Sequence, residues 1–134
     1  MRVIDSSQLN VLFEQARQSD RLRSHSLLHN SHQEKVQRLL IAMVKGSYVE
    51  PHYHELPDQW EMFTIIQGQV QVTLFDAQGQ ILTQFLAGDD TGVSIVELAP
   101  GDIHSVSCVS DKAIMLEVKE GPFDPVYAKA FPHW

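Results

Sequence analysis

Leu9, Leu12, Phe13 and Ala16 fall at the i, i+3, i+4 and i+7 positions of one helical face. They predict a short amphipathic helix over residues 8–17, with Asp5, Ser6 and Ser7 available as N-caps. Polar residues dominate from Gln18 to Lys35, Leu27 and Leu28 excepted, so this stretch reads as a loop lying against something larger. After Val36 the character changes. Val36–Val44, Tyr48–His54, Gln59–Gln67, Gln69–Asp76, Ile81–Leu86, Val93–Leu98, Ile103–Val109 and Ala113–Lys119 are rich in β-formers. Turn residues such as Lys45-Gly46, Gln67-Gly68, Ala77-Gln78-Gly79 and Pro100-Gly101 separate them. Eight short strands without intervening helical patterns argue for an all-β sandwich or barrel. The tail from Gly121 to Trp134 carries three prolines and four aromatics and is expected to pack as an irregular arm. The expected organisation is one structural domain, in which residues 1–35 form a helix and loop against a barrel formed by residues 36–134.

Composition narrows the setting. A chain of 134 residues is long enough to bury a core without staples. Cys108 is the sole cysteine, which excludes an intramolecular disulfide, and Met1 to Asp5 lack the apolar core of a signal peptide. A reducing, cytoplasmic location is the expectation. The longest apolar run, Leu39 to Val44, is six residues, against the roughly 20 that a membrane helix needs, so no membrane partner is expected. Seventeen acidic against ten basic residues give a formal charge of −7, which disfavours nucleic acid.

Imidazoles and carboxylates bind first-row transition metals, and one region concentrates them between two turn glycines, Gly46 and Gly68. His52 and His54 share a face if their segment is extended, and Pro51 biases Glu50 away from helical dihedrals. Glu61 opens a second β-rich segment. The arrangement resembles the first motif of the cupin superfamily, which implies His52, His54 and Glu61 as ligands of one ion. Cupins usually place three or four residues between the His pair and the Glu, where this chain has six. The segment Glu97-Leu98-Ala99-Pro100-Gly101-Asp102-Ile103-His104 resembles the second cupin motif and implies His104 as the fourth ligand. It departs in two places: Ala99 stands for the first proline, and Cys108 stands where many cupins have asparagine.

Further segments narrow the match: Arg21-Leu22-Arg23, Leu28-His29, Val36-Gln37-Arg38-Leu39, Gly46-Ser47-Tyr48-Val49, Pro51-His52-Tyr53-His54, Trp60-Glu61, Leu116-Glu117-Val118-Lys119 and Gly121-Pro122. Together they look like the WbuC family of small cupin-fold metalloproteins, over nearly the whole chain. That resemblance implies a cupin jelly-roll β-barrel with a metal inside one end, a bacterial origin, and the association of some members with surface-polysaccharide gene clusters. It also makes the six-residue gap before Glu61 a family trait. It implies no particular reaction. His25 departs from an asparagine-like polar position expected nearby. A homodimer, as many cupins form, is expected.

With neutral imidazoles the four ligands carry one negative charge, so a divalent ion leaves the site near +1 and able to attract an anion. The donor set suits iron, manganese, nickel, cobalt or zinc, and a six-coordinate ion would keep two positions open for water or a small-molecule substrate. Arg38 interrupts an apolar strand and wants a carboxylate or phosphate partner, which makes it a candidate for orienting substrate. Tyr48 shares the nominal parity of His52 and is a second candidate. Arg21 and Arg23 read as solvated residues, His29 and His32 as loop or capping residues, and His133 as uninvolved. Trp60 should face away from Glu61 into packing, and Cys108, about 13 Å along the strand from His104, reads as a small core residue. The leading expectation is a metalloenzyme that isomerises, epimerises or oxygenates a small polar or anionic compound such as a carbohydrate derivative. The alternative is a non-catalytic metal-dependent binding or sensor module, and a third reading makes the ion structural. Turnover abolished by His104→Ala would exclude the second, and a displaceable ligand on the metal would argue against the third.

Overall fold

A computed structural model describes residues 1–134. Helix α1 spans Ser6–Gln18, longer than the predicted helix by two residues at its start and one at its end. Its start is a capping box. The Asp5 side chain accepts from the Gln8 backbone N–H at 3.1 Å, and the Gln8 side chain accepts in return from the Asp5 N–H at 2.9 Å. Nine strands follow: β1 Arg23–Leu27, β2 Val36–Val44, β3 Tyr48–His52, β4 Glu61–Gln67, β5 Gln69–Phe75, β6 Ile81–Gly88, β7 Ile95–Leu98, β8 Ile103–Cys108 and β9 Lys112–Glu120. They form two antiparallel sheets, ordered β1-β2-β9-β4-β7 and β3-β8-β5-β6, in the jelly-roll arrangement that the cupin resemblance implies.

All eight expected strands are present. The ninth, β1, lies in the polar stretch read as a loop. It pairs antiparallel with β2, from Arg23 opposite Met43 to Leu27 opposite Leu39. Its apolar signature is missing because Arg23, His25 and Leu27 line an open cavity, while the Ser24 hydroxyl donates to the Leu12 carbonyl of α1 at 2.6 Å.

β2 carries an unbroken apolar run because both of its faces are covered. Leu39, Ile41 and Met43 enter the core between the sheets, with Phe63, Val70, Val72, Val106, Cys108 and Met115. Leu40, Ala42 and Val44 face outward, where Leu12, Phe13 and Ala16 of α1 close over them together with Ile114. The segment rich in metal-binding side chains is bracketed by two turns. Gly46 takes φ 93° between β2 and β3, and Gly68 takes φ 79° between β4 and β5. A Cβ at Gly68 would lie 2.1 Å from the Lys112 carbonyl oxygen, so no other residue fits that hairpin unchanged. After β9 the arm makes one 3-10 turn, Pro125–Tyr127, then bridges back through Ala130 to Tyr53.

Candidate metal centre

Strand geometry brings four distant residues to one end of the barrel. β4 begins at Glu61, opposite Leu98 on β7 and Lys119 on β9, with its side chain inward. On the facing sheet, β3 and β8 place His52 opposite His104. The register shifts between Val49 and His52, so both side chains line the cavity although their numbers differ by three. Tyr53 exchanges backbone hydrogen bonds with Ala130 at 2.9 and 2.8 Å, which keeps the chain extended and returns His54 to the inward face. His52, His54, Glu61 and His104 are all buried, and each offers one ligand atom lying within 4.8 Å of the others.

The tautomers are fixed by what lies behind the rings. Nδ1 of His52 is 2.9 Å from the Glu50 carbonyl oxygen, that of His54 is 2.9 Å from Ala128, and that of His104 is 2.9 Å from Asp102. A carbonyl only accepts, so each Nδ1 carries the proton and each neutral ring presents an Nε2 lone pair. His54 Nε2 sits 2.5 Å from Glu61 Oε2, and His104 Nε2 lies 3.7 Å from the same oxygen. Lone pairs from imidazole and carboxylate at that separation need a proton or a cation between them. Ligand rings oriented by outer hydrogen bonds are the arrangement a metal site requires, so the donor set fits a first-row divalent ion.

Electrostatics agrees with the geometry. Burial, helped by the neighbouring His104, pushes the His52 imidazolium down to about 3, and burial also lowers that of His104 against the pull of Glu61. Burial alone would raise the Glu61 carboxyl, but its contacts with Glu117 and His54 hold it well below the usual carboxylate range. Glu117 takes the opposite course. Its own burial and the adjacent Glu61 charge raise it well above that range, although Lys119 Nζ stands 3.6 Å from its Oε2.

The four residues open onto a cavity of about 490 Å³ between the sheets, β1 and the C-terminal arm. Arg38 and Tyr48 do not line it. Arg38 has the parity of Leu40 and so points outward, where its guanidinium pairs with Glu34 at 3.0 Å in solvent. The residues of β2 that face the cavity are Gln37, Leu39 and Ile41. Tyr48 is exposed, because the register shift puts its neighbour Val49 on the inner face. Arg21 and Arg23, read as solvated, line the cavity, Arg21 exposed and Arg23 half-buried. His29 is buried on its wall, and His32 joins it there, stacked at 4.8 Å on Phe123. Cys108 is a core residue, and burial raises its thiol. Trp60 is half-buried outside the cavity, and His133 is exposed.

Sequence reading missed Glu117, Lys119 and Lys129, all of which line the cavity. A signal existed for the first two. On β9 they continue the inward parity of Ala113 and Met115, where a charge is out of place unless it faces something polar. Lys129, on an irregular arm, carries no such signal.

A family model described as "Domain of unknown function (DUF6016)" matches residues 4–87. The chain belongs to this family. The match takes in His52, His54 and Glu61 of the DUF6016 chain, whereas His104 lies beyond it. No curated protein matches the sequence. Among solved structures, the capsular polysaccharide assembling protein CapF from Staphylococcus aureus superposes with a TM-score of 0.71 at 16% identity, covering 84% of this chain and 32% of CapF. Recombinant oxalate oxidase in complex with glycolate gives 0.62 at 12% identity, covering 84% of this chain and 56% of the oxidase. The Schizosaccharomyces pombe Cnp3 cupin domain gives 0.59 at 14% identity, covering 74% and 64%. At these identities the likeness is one of fold, and that fold is the cupin jelly roll. The DUF6016 chain spans about a third of CapF.

Proposed function

We propose that the protein binds one divalent transition-metal ion through His52, His54, Glu61 and His104, and is a metalloenzyme acting on a small polar or anionic compound, such as a carbohydrate derivative. The observation that carries this is the convergence of three imidazole Nε2 atoms on one buried carboxylate, each ring held from behind by a carbonyl. When bound, the ion would supply Lewis acidity to ligand oxygens or, as iron, a centre for oxygen chemistry. The chain itself supplies an enclosed cavity, a carboxyl at Glu117 beside the ligand Glu61, and a cationic rim. Isomerisation or epimerisation and oxygenation are both within the reach of such a site.

The whole-chain resemblance to the WbuC family supports a role in bacterial surface-polysaccharide biosynthesis. The likeness to CapF, a capsular polysaccharide assembling protein, points in the same direction through fold alone. Metal analysis of protein from cells grown without added nickel or zinc should find one ion per chain, and His104→Ala should lose it. A screen of sugars, sugar phosphates and oxoacids on the loaded protein would then identify the compound. Absence of stoichiometric metal, with no thermal shift on adding manganese, iron, cobalt, nickel or zinc, would sink this reading.

A further inference from the structure

The chain as a whole is acidic, with a formal charge of −7, yet its cavity is not. Four basic side chains line it, Arg21, Arg23, Lys119 and Lys129, against two carboxyl groups, Glu61 and Glu117. Both carboxyl groups belong to the inner end, where Glu61 meets the histidines and Glu117 meets Glu61. Of the cations only Lys119 has a carboxylate partner, Glu117, at 3.6 Å. Arg23 makes a single side-chain hydrogen bond, to the Tyr48 carbonyl at 3.3 Å, which leaves most of its donors free. Arg21 and Lys129 donate no side-chain hydrogen bond at all.

The backbone gathers these charges from three elements. Leu22 adopts a left-handed φ of 56° as the chain enters β1, and its side chain packs beneath α1 while Arg21 and Arg23 line the cavity. Lys119 comes from β9, and Lys129 comes from the C-terminal arm. They share one neighbourhood. After partial burial, the charges that push the His25 imidazolium down, to about 4, are those of all four, and Lys129 feels Arg23, Glu61 and Glu117. Unpaired cations held this close repel one another, a cost that a bound polyanion removes.

We propose that the outer end of this cavity is a subsite for a phosphate monoester, held by Arg21, Arg23 and Lys129, so that the compound the protein takes is a small phosphorylated polyol or sugar whose hydroxyl end faces the four-residue centre. The proposal rests on the metal-site reading only for that inner end. A phosphomonoester fits the donors better than a carboxylate does. It carries about −1.5 to −2 charges near neutral pH and offers three acceptor oxygens, whereas a carboxylate offers two in one plane. Guanidinium groups at and just before the start of β1 and an ammonium from the C-terminal arm come from separate elements, which suits the tetrahedral group. A cavity of about 490 Å³ is ample for a hexose phosphate. His29, buried further along the same wall, has its Nδ1 3.0 Å from both the N–H and the carbonyl oxygen of Arg38, which leaves its Nε2 as an unpartnered buried polar atom available to a ligand.

The test is calorimetric titration of the full chain with glucose 6-phosphate, glucose, succinate and inorganic phosphate, with the metal content of each sample measured in parallel. Glucose 6-phosphate should bind at least 10-fold tighter than succinate, glucose should not saturate, and inorganic phosphate should compete. Arg23→Ala with Lys129→Ala should weaken glucose 6-phosphate at least 30-fold without changing metal content, and Lys129→Ala alone, on the arm outside the sheets, should weaken it about 5-fold or more. Succinate binding as tightly as glucose 6-phosphate, or an affinity unmoved by Lys129→Ala, would overturn the subsite. The two readings fail separately. Metal-free protein that still binds glucose 6-phosphate in a Lys129-dependent way would retain the subsite and lose the metal, whereas loaded protein indifferent to phosphate would do the reverse.

Discussion

At one end of the barrel interior, Met43, Ala113, Ile65, Val70 and Cys108 meet from five strands, every one of them buried. At the other end the inward positions of β2, β9, β4 and β8 are Gln37, Lys119, Glu61 and His104. Both sets obey the same period-two alternation and the same register. They differ in what they face: the first set fills the space between the sheets with its own side chains, while the second surrounds a cavity. Alternation therefore tells which side chains point inward, and the chemistry at those positions tells which end is closed. The apolar end supplies folding energy, and the polar end depends on it for position.

If the two ends are separable in that sense, Met43→Ala should destabilise the protein by about 2–5 kcal/mol in denaturant unfolding, as deletion of a fully buried side chain does. The folded fraction should still take up metal with unchanged affinity. Loss of metal from folded Met43→Ala protein would show that the centre and the closed end form one unit. A smaller effect tests how the polar end is held. His54 is oriented by the Ala128 carbonyl and flanked by the Tyr53–Ala130 bridge, so the arm positions a ligand without supplying one. Removing residues 125–134 should weaken metal binding about 10–100-fold in competition with a chelator, the range for losing a group that orients a ligand. Affinity unchanged by the truncation would mean that the barrel alone fixes the ring.

The apolar end was legible in the sequence because there burial and β-propensity act together, as in Val36–Val44. The four-residue centre was legible through the resemblance of its two segments to the cupin motifs, which names His52, His54, Glu61 and His104 together. What stayed hidden were polar residues on the inward side. β1 has no apolar stripe because two of its three cavity-lining residues, Arg23 and His25, are polar. The parity of Tyr48 was lost where the register shifts before His52. Adjacent positions on β2 separate the cases most sharply. Gln37 is buried, and its amide donates 2.7 Å to the Glu34 carbonyl, while Arg38 beside it is open to solvent. An arginine in an apolar strand drew attention for its charge, but parity with Leu40 assigns it to the outer face, just past the end of the helix-covered patch.

That assignment yields the smallest expected effect. The Arg38–Glu34 pair is an exposed i,i+4 contact at 3.0 Å, and pairs of this kind contribute about 0–1 kcal/mol because water already solvates both partners and salt screens them. Arg38→Ala should therefore change stability by about 0.5 kcal/mol or less, and raising the salt concentration should erase even that. It should leave metal content and glucose 6-phosphate affinity unchanged, because the side chain leaves the sheet on the face opposite the cavity. A loss of phosphate affinity in Arg38→Ala, with Lys129→Ala without effect, would reverse the assignment. The cationic face of the cavity would then lie along β2, and the outward parity of its first residues would have to give way when a ligand binds.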